Sequence, residues 1–179
     1  GIEESDKLLR MMNTILDISE AEAGALQLRF QETDAGELLQ DLAELYSLPA
    51  EEKDIRIHLD LPSTPLRIRS DPYRLRQVVG NLLDNAVKYS PPGKSVLLKG
   101  VLQADSLLIR VEDEGEGIPP QDLPHIWNRL YRGEKARPKP GLGLGLSLVK
   151  AIVEAHGGSV RASNNPVTGG AVLEVHLPV

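Results

Sequence analysis

Apolar residues near the start of the chain recur with helical spacing. Ile2, Leu9 and Leu16 lie seven residues apart, and Met12 follows Leu9 by three. This spacing predicts one long helix over about residues 3–28. Its apolar stripe is wide enough for a helix bundle, so we expect the helix to pack against a partner helix or a second chain. Packing on the globular part of its own chain is the alternative.

The remaining pattern predicts a helix-rich half followed by a strand-rich half. We expect Gly24 to end or loosen the first helix, and Asp34 and Asp71 to cap the next two, with Pro72 at a first helical position. The expected helices cover 35–46, 72–89 and 144–156, and the expected strands cover 55–61, 66–70, 96–102, 106–112, 159–163 and 171–177. The fold class predicted is α+β. It is a two-layer α/β sandwich, a mixed sheet covered on one face by helices, preceded by one long bundle helix.

Composition narrows the class of protein. With 179 residues and 41% hydrophobic content, the chain suits one compact domain plus an extra element. The formal charge of −6 argues against indiscriminate binding to nucleic acid or anionic membranes. The absence of cysteine excludes disulfides and thiolate metal sites. No apolar run approaches membrane-spanning length and no signal-peptide pattern occurs. Because the chain begins with Gly1, we expect it to be a piece of a longer protein.

Polar residues share one face of the predicted helix over 72–89. Asn81 and Asn85 lie four residues apart, and Lys88 follows one turn later. Amide oxygens are hard ligands and lysine supplies positive charge, so this face suits Mg²⁺ and a polyphosphate. A solvated polar face is the alternative. Asp84 lies off this face and is expected to be solvated.

Glycines introduce two further candidate segments. Gly141, Gly143 and Gly145 lead into a helix, where bare backbone amides can cradle phosphate; a plain flexible loop is the alternative. Leu146 stands where a dinucleotide-binding fingerprint needs glycine, so that motif is excluded.

The second glycine-containing segment begins at Asp113, which ends a strand before Gly115 and Gly117. A carboxylate there can accept a hydrogen bond from an exocyclic amine, and the glycines let a ring approach the backbone. A simple turn between sheet and loop is the alternative.

These segments, taken in order, resemble the conserved boxes of sensor histidine kinases. Residues 71–90, DPYRLRQVVGNLLDNAVKYS, resemble the N-box, and 113–118, DEGEGI, resemble the first glycine box. Residues 141–148, GLGLGLSL, resemble the second glycine box, and 123–132, LPHIWNRLYR, the aromatic box between them. The segment 8–28 resembles the second helix of the dimerisation and histidine-phosphotransfer domain. The resemblance covers nearly the whole chain.

The resemblance implies a division of the chain and a set of ligands. Residues 1–28 would be a partial dimerisation and phosphotransfer domain, 29–34 a linker, and 35–179 an ATP-binding catalytic domain with a lid at about 119–140. The lid has few apolar anchors and is expected to be mobile without nucleotide. The implied ligands are ATP or ADP and Mg²⁺. The implied catalytic residues are Asn81, which would bind the metal, and Lys88 and Arg132, which would contact phosphate. Asn85 would hold metal or phosphate, Tyr89 would lie near ribose or phosphate, and Asp113 would bind the adenine amine. The remaining implied contacts are Gly115, Gly117 and Ile118 beside the base, and Gly141, Leu142, Gly143, Leu144, Gly145 and Leu146 along the triphosphate. Lys135 and Arg137 are further candidates in the lid.

The chain also departs from the family pattern. Trp127 and Leu130 stand where phenylalanines are usual, and Leu142 where a small hydroxyl residue is common. The phosphoacceptor box is missing, because in that box an acidic residue follows the histidine, and no histidine of this chain is followed by one. His58, His125, His156 and His176 are each expected to be structural or on the surface. We therefore expect the chain to bind nucleotide without phosphorylating itself.

The function implied is transfer of the ATP γ-phosphate to a histidine outside this chain, in two-component signal transduction. The implied partners are a response regulator receiver domain and a second copy of the chain, joined through the first helix. The implied location is cytoplasmic, with membrane attachment only through other parts of a parent protein. One alternative is a related ATPase of the gyrase, heat-shock or mismatch-repair type, which carries a glutamate base where this chain has Asn81. A serine kinase of the anti-sigma type is a further alternative, but such a protein would not need the first helix. A degenerate kinase acting as an ATP-gated dimerisation module is the non-enzymatic alternative.

Overall fold

A computed structural model of the chain describes residues 1–128, 131–132 and 144–179. Apart from an additional short strand at Gln31–Asp34, its helices and strands follow the predicted order. They are α1 (Ile2–Glu22), β1 (Gln31–Asp34), α2 (Ala35–Glu52), β2 (Arg56–Asp60), β3 (Arg67–Ser70), α3 (Pro72–Tyr89), β4 (Ser95–Gln103), β5 (Ser106–Glu112), a 3₁₀ turn at Leu123–His125, α4 (Gly145–Ala155), β6 (Ser159–Asn164) and β7 (Ala171–Pro178).

The five-stranded sheet has the order β2-β4-β5-β7-β6. β2 runs parallel to β4, and the other neighbouring pairs are antiparallel. Inward side chains such as Leu98, Ile109 and Val175 are fully buried and share one core with the helices. Arg110 and Glu174 lie on the other face, where their side chains pair at 3.0 Å. The mixed sheet with helices packed against it confirms the predicted fold class.

The first helix is shorter than its apolar pattern predicts. It ends at Glu22, so the predicted end near residue 28 was wrong. Gly24 adopts φ of +72°, a left-handed conformation that glycine accepts without steric cost. The expected stop at this glycine is therefore confirmed, and the apolar residues beyond it lie in an irregular segment.

The second helix is longer than predicted. Asp34 caps it as expected, accepting a hydrogen bond from the N–H of Glu37 at 3.1 Å. The helix continues past residue 46, through Pro49, to Glu52. Proline removes one helical hydrogen bond. Ala50 is fully buried just beyond it, and we attribute the continuation to this packing.

The first helix packs against the globular part along one side only. Ile18 is 1% exposed within the core, and Arg74 Nη1 of α3 lies 2.8 Å from Asp17 Oδ2 of α1. The open stripe, which we define as Ile2, Leu8, Leu9, Met12 and Leu16, is more than half exposed at every position. One side of α1 therefore packs on its own domain, and another side carries the open stripe. In the parts of the chain that the structure describes, no helix combines the length and apolar content that crossing a membrane requires.

Candidate functional site

One cavity of about 910 Å³ brings the separate polar segments together. Its walls come from α3, from the segment after β5, from β7, from the start of α4 and from α1. The residues predicted from sequence that line it are Asn81, Asn85, Lys88, Tyr89, Asp113, Gly117, Ile118, Arg132, Leu144, Gly145 and Leu146. Gly115 does not line it. Gly141, Leu142 and Gly143, with Leu130, Lys135 and Arg137, lie outside the described residues.

The orientation of α3 follows from its cap and its buried face. Asp71 accepts a hydrogen bond from the N–H of Arg74 at 3.2 Å, which starts the helix as predicted. Leu82 and Leu83 are fully buried. Asn81, just before these two leucines, and Asn85, one turn after Asn81, lie on a different face of the helix and line the cavity.

Asn81 is held in a defined rotamer beside the start of α4. Its Nδ2 donates to Gln77 O at 2.9 Å, so its Oδ1 points away from the helix carbonyls. A methyl group on Gly145 would lie 3.2 Å from that oxygen. Any larger residue at this glycine would therefore fill the space beside the amide oxygen, where the sequence predicts a metal or phosphate group.

Asp113 is almost fully buried in the cavity wall, at 6% exposed. Its Oδ1 accepts hydrogen bonds from the N–H of Gly115 at 2.9 Å and of Ala171 at 3.0 Å. A buried carboxylate with such partners is fixed in place. It can serve as a rigid acceptor for an amine edge of a ligand.

The two glycines after Asp113 allow close backbone contacts. A methyl group on Gly115 would lie 2.7 Å from the carbonyl oxygen of Tyr89. Gly117 has φ of +78°, and a methyl group there would lie 2.3 Å from Gly169 O. Both glycines therefore have a packing role that does not depend on a ligand, which the sequence reasoning did not anticipate.

Ile118 is fixed by a residue that the sequence analysis missed. Its N–H donates to Asn164 Oδ1 at 2.8 Å, and Asn164 Nδ2 donates back to Ile118 O at 2.8 Å. This pair of bonds attaches the start of the predicted lid to the end of β6. No local pattern marks Asn164, because its partner lies 46 residues away.

Part of the predicted lid contacts the rest of the domain. Ile126 and Trp127 are partly buried against the core. The hydroxyl of Tyr131 donates to Asp122 Oδ1. Residues 119–128 thus have two apolar anchors in the fold, and the mobility of the lid without nucleotide stays a prediction.

Arg132 lies beside Tyr89 at the cavity. Burial raises the pKa of the Tyr89 phenol, and the nearby Arg132 guanidinium, which hydrogen bonds to that side chain, partly offsets the rise. The two residues come from segments 43 positions apart in sequence, and the fold brings both to the same cavity. Their contact supplies a cation at the cavity besides Lys88.

Further charged residues line the cavity without having been predicted as contacts. They are Lys7 of α1, Lys53 after α2, and Asp84, Glu116 and Asp122. Asp84 is exposed as expected, although it also lines the cavity. Lys7 and Lys53 carry no sequence signal, because their elements reach the cavity only through tertiary packing.

The side chains of Asn81, Asn85 and Lys88 suit a metal ion that enters the cavity already bound to a phosphate. Among the described residues, no group of three histidine or acidic side chains is placed to hold a metal ion. Mg²⁺ commonly retains waters and is completed by substrate phosphates. The amide oxygens of Asn81 and Asn85, with Lys88 one turn away, fit that mode of binding.

The histidines occupy structural or surface positions. His156 is buried: its Nε2 accepts from the N–H of Asp71 at 3.2 Å, and its Nδ1 lies 2.8 Å from Ile152 O. His58 is exposed on β2 and His176 is partly exposed on β7. His125, in the 3₁₀ turn, is exposed. None of them lines the cavity.

Comparisons with known proteins identify the family of the chain. Residues 70–179 match the family described as histidine kinase-, DNA gyrase B-, and HSP90-like ATPase. The chain is 32% identical to Sensor protein SphS of Synechococcus elongatus, over 98% of the chain and 44% of SphS. It is 35% identical to Sensor protein KdpD of Escherichia coli, over 94% of the chain and 18% of KdpD. The chain thus spans less than half the length of these relatives.

Two solved structures are similar in fold as well as in sequence. The mycobacterial sensor histidine kinase MprB superimposes with a TM-score of 0.74 at 30% identity, covering 84% of this chain and 97% of that one. Full-length ShkA in complex with AMPPNP gives a TM-score of 0.85 at 32% identity, covering 98% of this chain and 36% of ShkA.

Proposed function

Because the chain belongs to the family of histidine kinase-, DNA gyrase B- and HSP90-like ATPases, we propose that it transfers the γ-phosphate of ATP to a histidine outside this chain, as the catalytic part of a sensor histidine kinase. The observation that carries this proposal is the single cavity shared by Asn81, Asn85, Lys88 and Asp113. Phosphoryl transfer requires positioning and charge neutralisation more than covalent help from the protein. The side chains in this cavity provide both.

The proposed contacts divide the cavity into a base end and a phosphate end. At the base end, the fixed carboxylate of Asp113 accepts from the adenine amine. At the phosphate end, Lys88 and Arg132 neutralise negative charge, and Asn81 and Asn85 offer oxygens to Mg²⁺. Tyr89, beside Arg132, would contact the ribose or the phosphates. When bound, Mg²⁺ supplies charge neutralisation of the phosphates.

A specific residue favours transfer over hydrolysis. Hydrolysis by an activated water requires a general base within hydrogen-bond reach of that water. Asn81, at the position where the hydrolytic relatives are expected to carry a glutamate, presents an amide that does not accept a proton near neutral pH. We therefore expect slow ATP turnover without an acceptor. Rapid turnover would instead favour the ATPase alternative.

The first test is calorimetric binding of ADP and a non-hydrolysable ATP analogue, with and without Mg²⁺. We expect binding that Mg²⁺ strengthens and that Asp113→Asn abolishes. Asp105→Asn, in the turn between β4 and β5 and outside the cavity, is the matched control and should leave binding unchanged. Absence of binding in the unaltered chain would overturn the proposal.

The second test concerns the acceptor. Incubated with radiolabelled ATP, this chain alone should remain unlabelled, whereas a separate chain that supplies an acceptor histidine should become labelled. Label on one of the chain's own histidines would contradict the assignment of the acceptor to another segment.

The open stripe on α1 supports a homodimer as the functional unit. An apolar stripe of this kind is stabilised by packing against a partner helix. A receiver domain of a response regulator is the proposed recipient of the phosphoryl group, and a cytoplasmic location follows from that partner. Any membrane attachment belongs to other parts of a parent protein.

A further inference from the structure

The last turn of α3 ends against two prolines, which changes its hydrogen bonding. In a continuing helix, the carbonyls of Val87 and Lys88 would accept from the N–H groups four residues later, at the positions of Pro91 and Pro92. Proline has no N–H. The backbone also leaves the helix at Ser90, where ψ is 135°. The two carbonyls therefore require donors from elsewhere.

Lys53, immediately after α2, supplies such a donor. Its Nζ lies 2.6 Å from Val87 O and 3.1 Å from Lys88 O. An ammonium group has three donors, so it can serve both carbonyls, and its positive charge is favourable at a helix C-terminus. The preceding carbonyl, Ala86 O, accepts from the N–H and the hydroxyl of Ser90, at 3.1 Å and 2.8 Å. Lys53 and Ser90 together close the end of α3.

The backbone beside Lys53 is attached to the turn that follows α3. Asp54 has φ of 57°, in the left-handed region, and its carbonyl accepts from the N–H of Gly93 at 2.7 Å. The N–H of Arg56 donates to Lys94 O at 3.2 Å. These bonds restrict the movement of Lys53 relative to the end of α3. The ammonium group is thus presented to the two carbonyls by an anchored backbone.

The end of α3 is also where the cavity begins. Lys88 and Tyr89 are its last two residues, and both line the cavity. The carbonyl of Tyr89 lies against Gly115, where a methyl group would approach to 2.7 Å. Resting on the proposed function, we propose that Lys53 is a positioning residue for nucleotide binding, which fixes the end of α3 and thereby directs Lys88 toward the phosphate groups.

The test compares ADP with adenosine, because only ADP carries the groups that Lys88 would bind. By calorimetry, Lys53→Met should weaken ADP binding about tenfold, the order of effect of losing a hydrogen bond to a charged group. Adenosine affinity should stay unchanged. Lys53→Arg, which keeps the donors and the charge, should restore most of the ADP affinity. Lys94→Met, in the adjacent turn and outside the cavity lining, is the matched control and should bind both ligands normally.

A double-mutant cycle separates positioning from direct contact with phosphate. If Lys53 acts through Lys88, then Lys53→Met combined with Lys88→Met should bind ADP no more weakly than Lys88→Met alone. Additive losses would overturn the proposal, because they would mean that Lys53 contacts phosphate itself. Equal losses for ADP and adenosine would also overturn it, since they would indicate general disruption of the site. If the unaltered chain failed to bind ADP, the proposed function and the role of Lys53 would both fall.

Discussion

The ring of His156 accepts a hydrogen bond from the backbone N–H of Asp71 at 3.2 Å, joining the end of α4 to the start of α3. Because that N–H donates, Nε2 must be the unprotonated nitrogen, and Nδ1 carries the hydrogen that faces Ile152 O at 2.8 Å. Asp71 caps α3, so this neutral imidazole fixes the helix that carries Asn81 and Asn85.

The first prediction follows from this bond. His156→Phe should lower the free energy of unfolding by about 1–3 kcal/mol, because it leaves the buried N–H of Asp71 without its acceptor. Denaturant titration measures the change. His58→Phe, at an exposed position of β2, should change stability by less than about 0.5 kcal/mol. Equal stability of the His156 variant and the unaltered chain would show that the bond contributes nothing.

The second prediction concerns the attachment of α1 to the domain. Asp17 and Arg74 pair at 2.8 Å with side chains only 24% and 16% exposed, so solvent screens them little. Asp17→Asn should destabilise docking of α1 by about 1 kcal/mol and speed amide exchange in that helix. Asp41→Asn removes a pair whose side chains are both 49% exposed, and it should have little effect. Unchanged exchange in both variants would indicate that apolar packing, with Ile18 at its centre, holds the helix without the ion pair.

The third prediction tests the open stripe on α1. Sedimentation should show a concentration-dependent dimer, and Leu9→Glu together with Leu16→Glu should yield a monomer, because charges would enter the apolar contact. Leu45→Glu places the same charge on an exposed apolar position of α2, which is 65% exposed, and should leave the dimer intact. A monomer at high concentration in the unaltered chain would contradict the proposed use of the stripe.

The fourth prediction concerns the contact between Gly115 and the end of α3. Gly115→Ala should weaken ADP binding by about tenfold, a change of about 1.4 kcal/mol. The added methyl group would lie only 2.7 Å from the carbonyl oxygen of Tyr89, so that carbonyl would have to shift. Gly36→Ala, at the second residue of α2, is the control: its nearest contact would be 3.4 Å, so ADP affinity and stability should both be nearly unchanged. Calorimetry and thermal unfolding report the two effects. Unaltered ADP affinity in Gly115→Ala would show that the backbone adjusts without disturbing the cavity.

The sequence by itself determined the local elements and the residue types of the site. Capping carboxylates at Asp34 and Asp71 specify where two helices begin, because a side chain acceptor for the first N–H groups is a local property. The spacing of Asn81, Asn85 and Lys88 specifies a shared helix face for the same reason. The ordered boxes indicated the family, which the comparisons confirm.

Only the tertiary structure decided the features that depend on distant contacts. α2 continues past Pro49, and Ala50 directly after it is buried, although local propensity favours an earlier end of the helix. Asn164 binds Ile118 from 46 residues away, and Lys53 closes α3 from 34 residues away at Val87. Such partners leave no periodic signal, because each is a single polar group whose role exists only once the chain has folded around it.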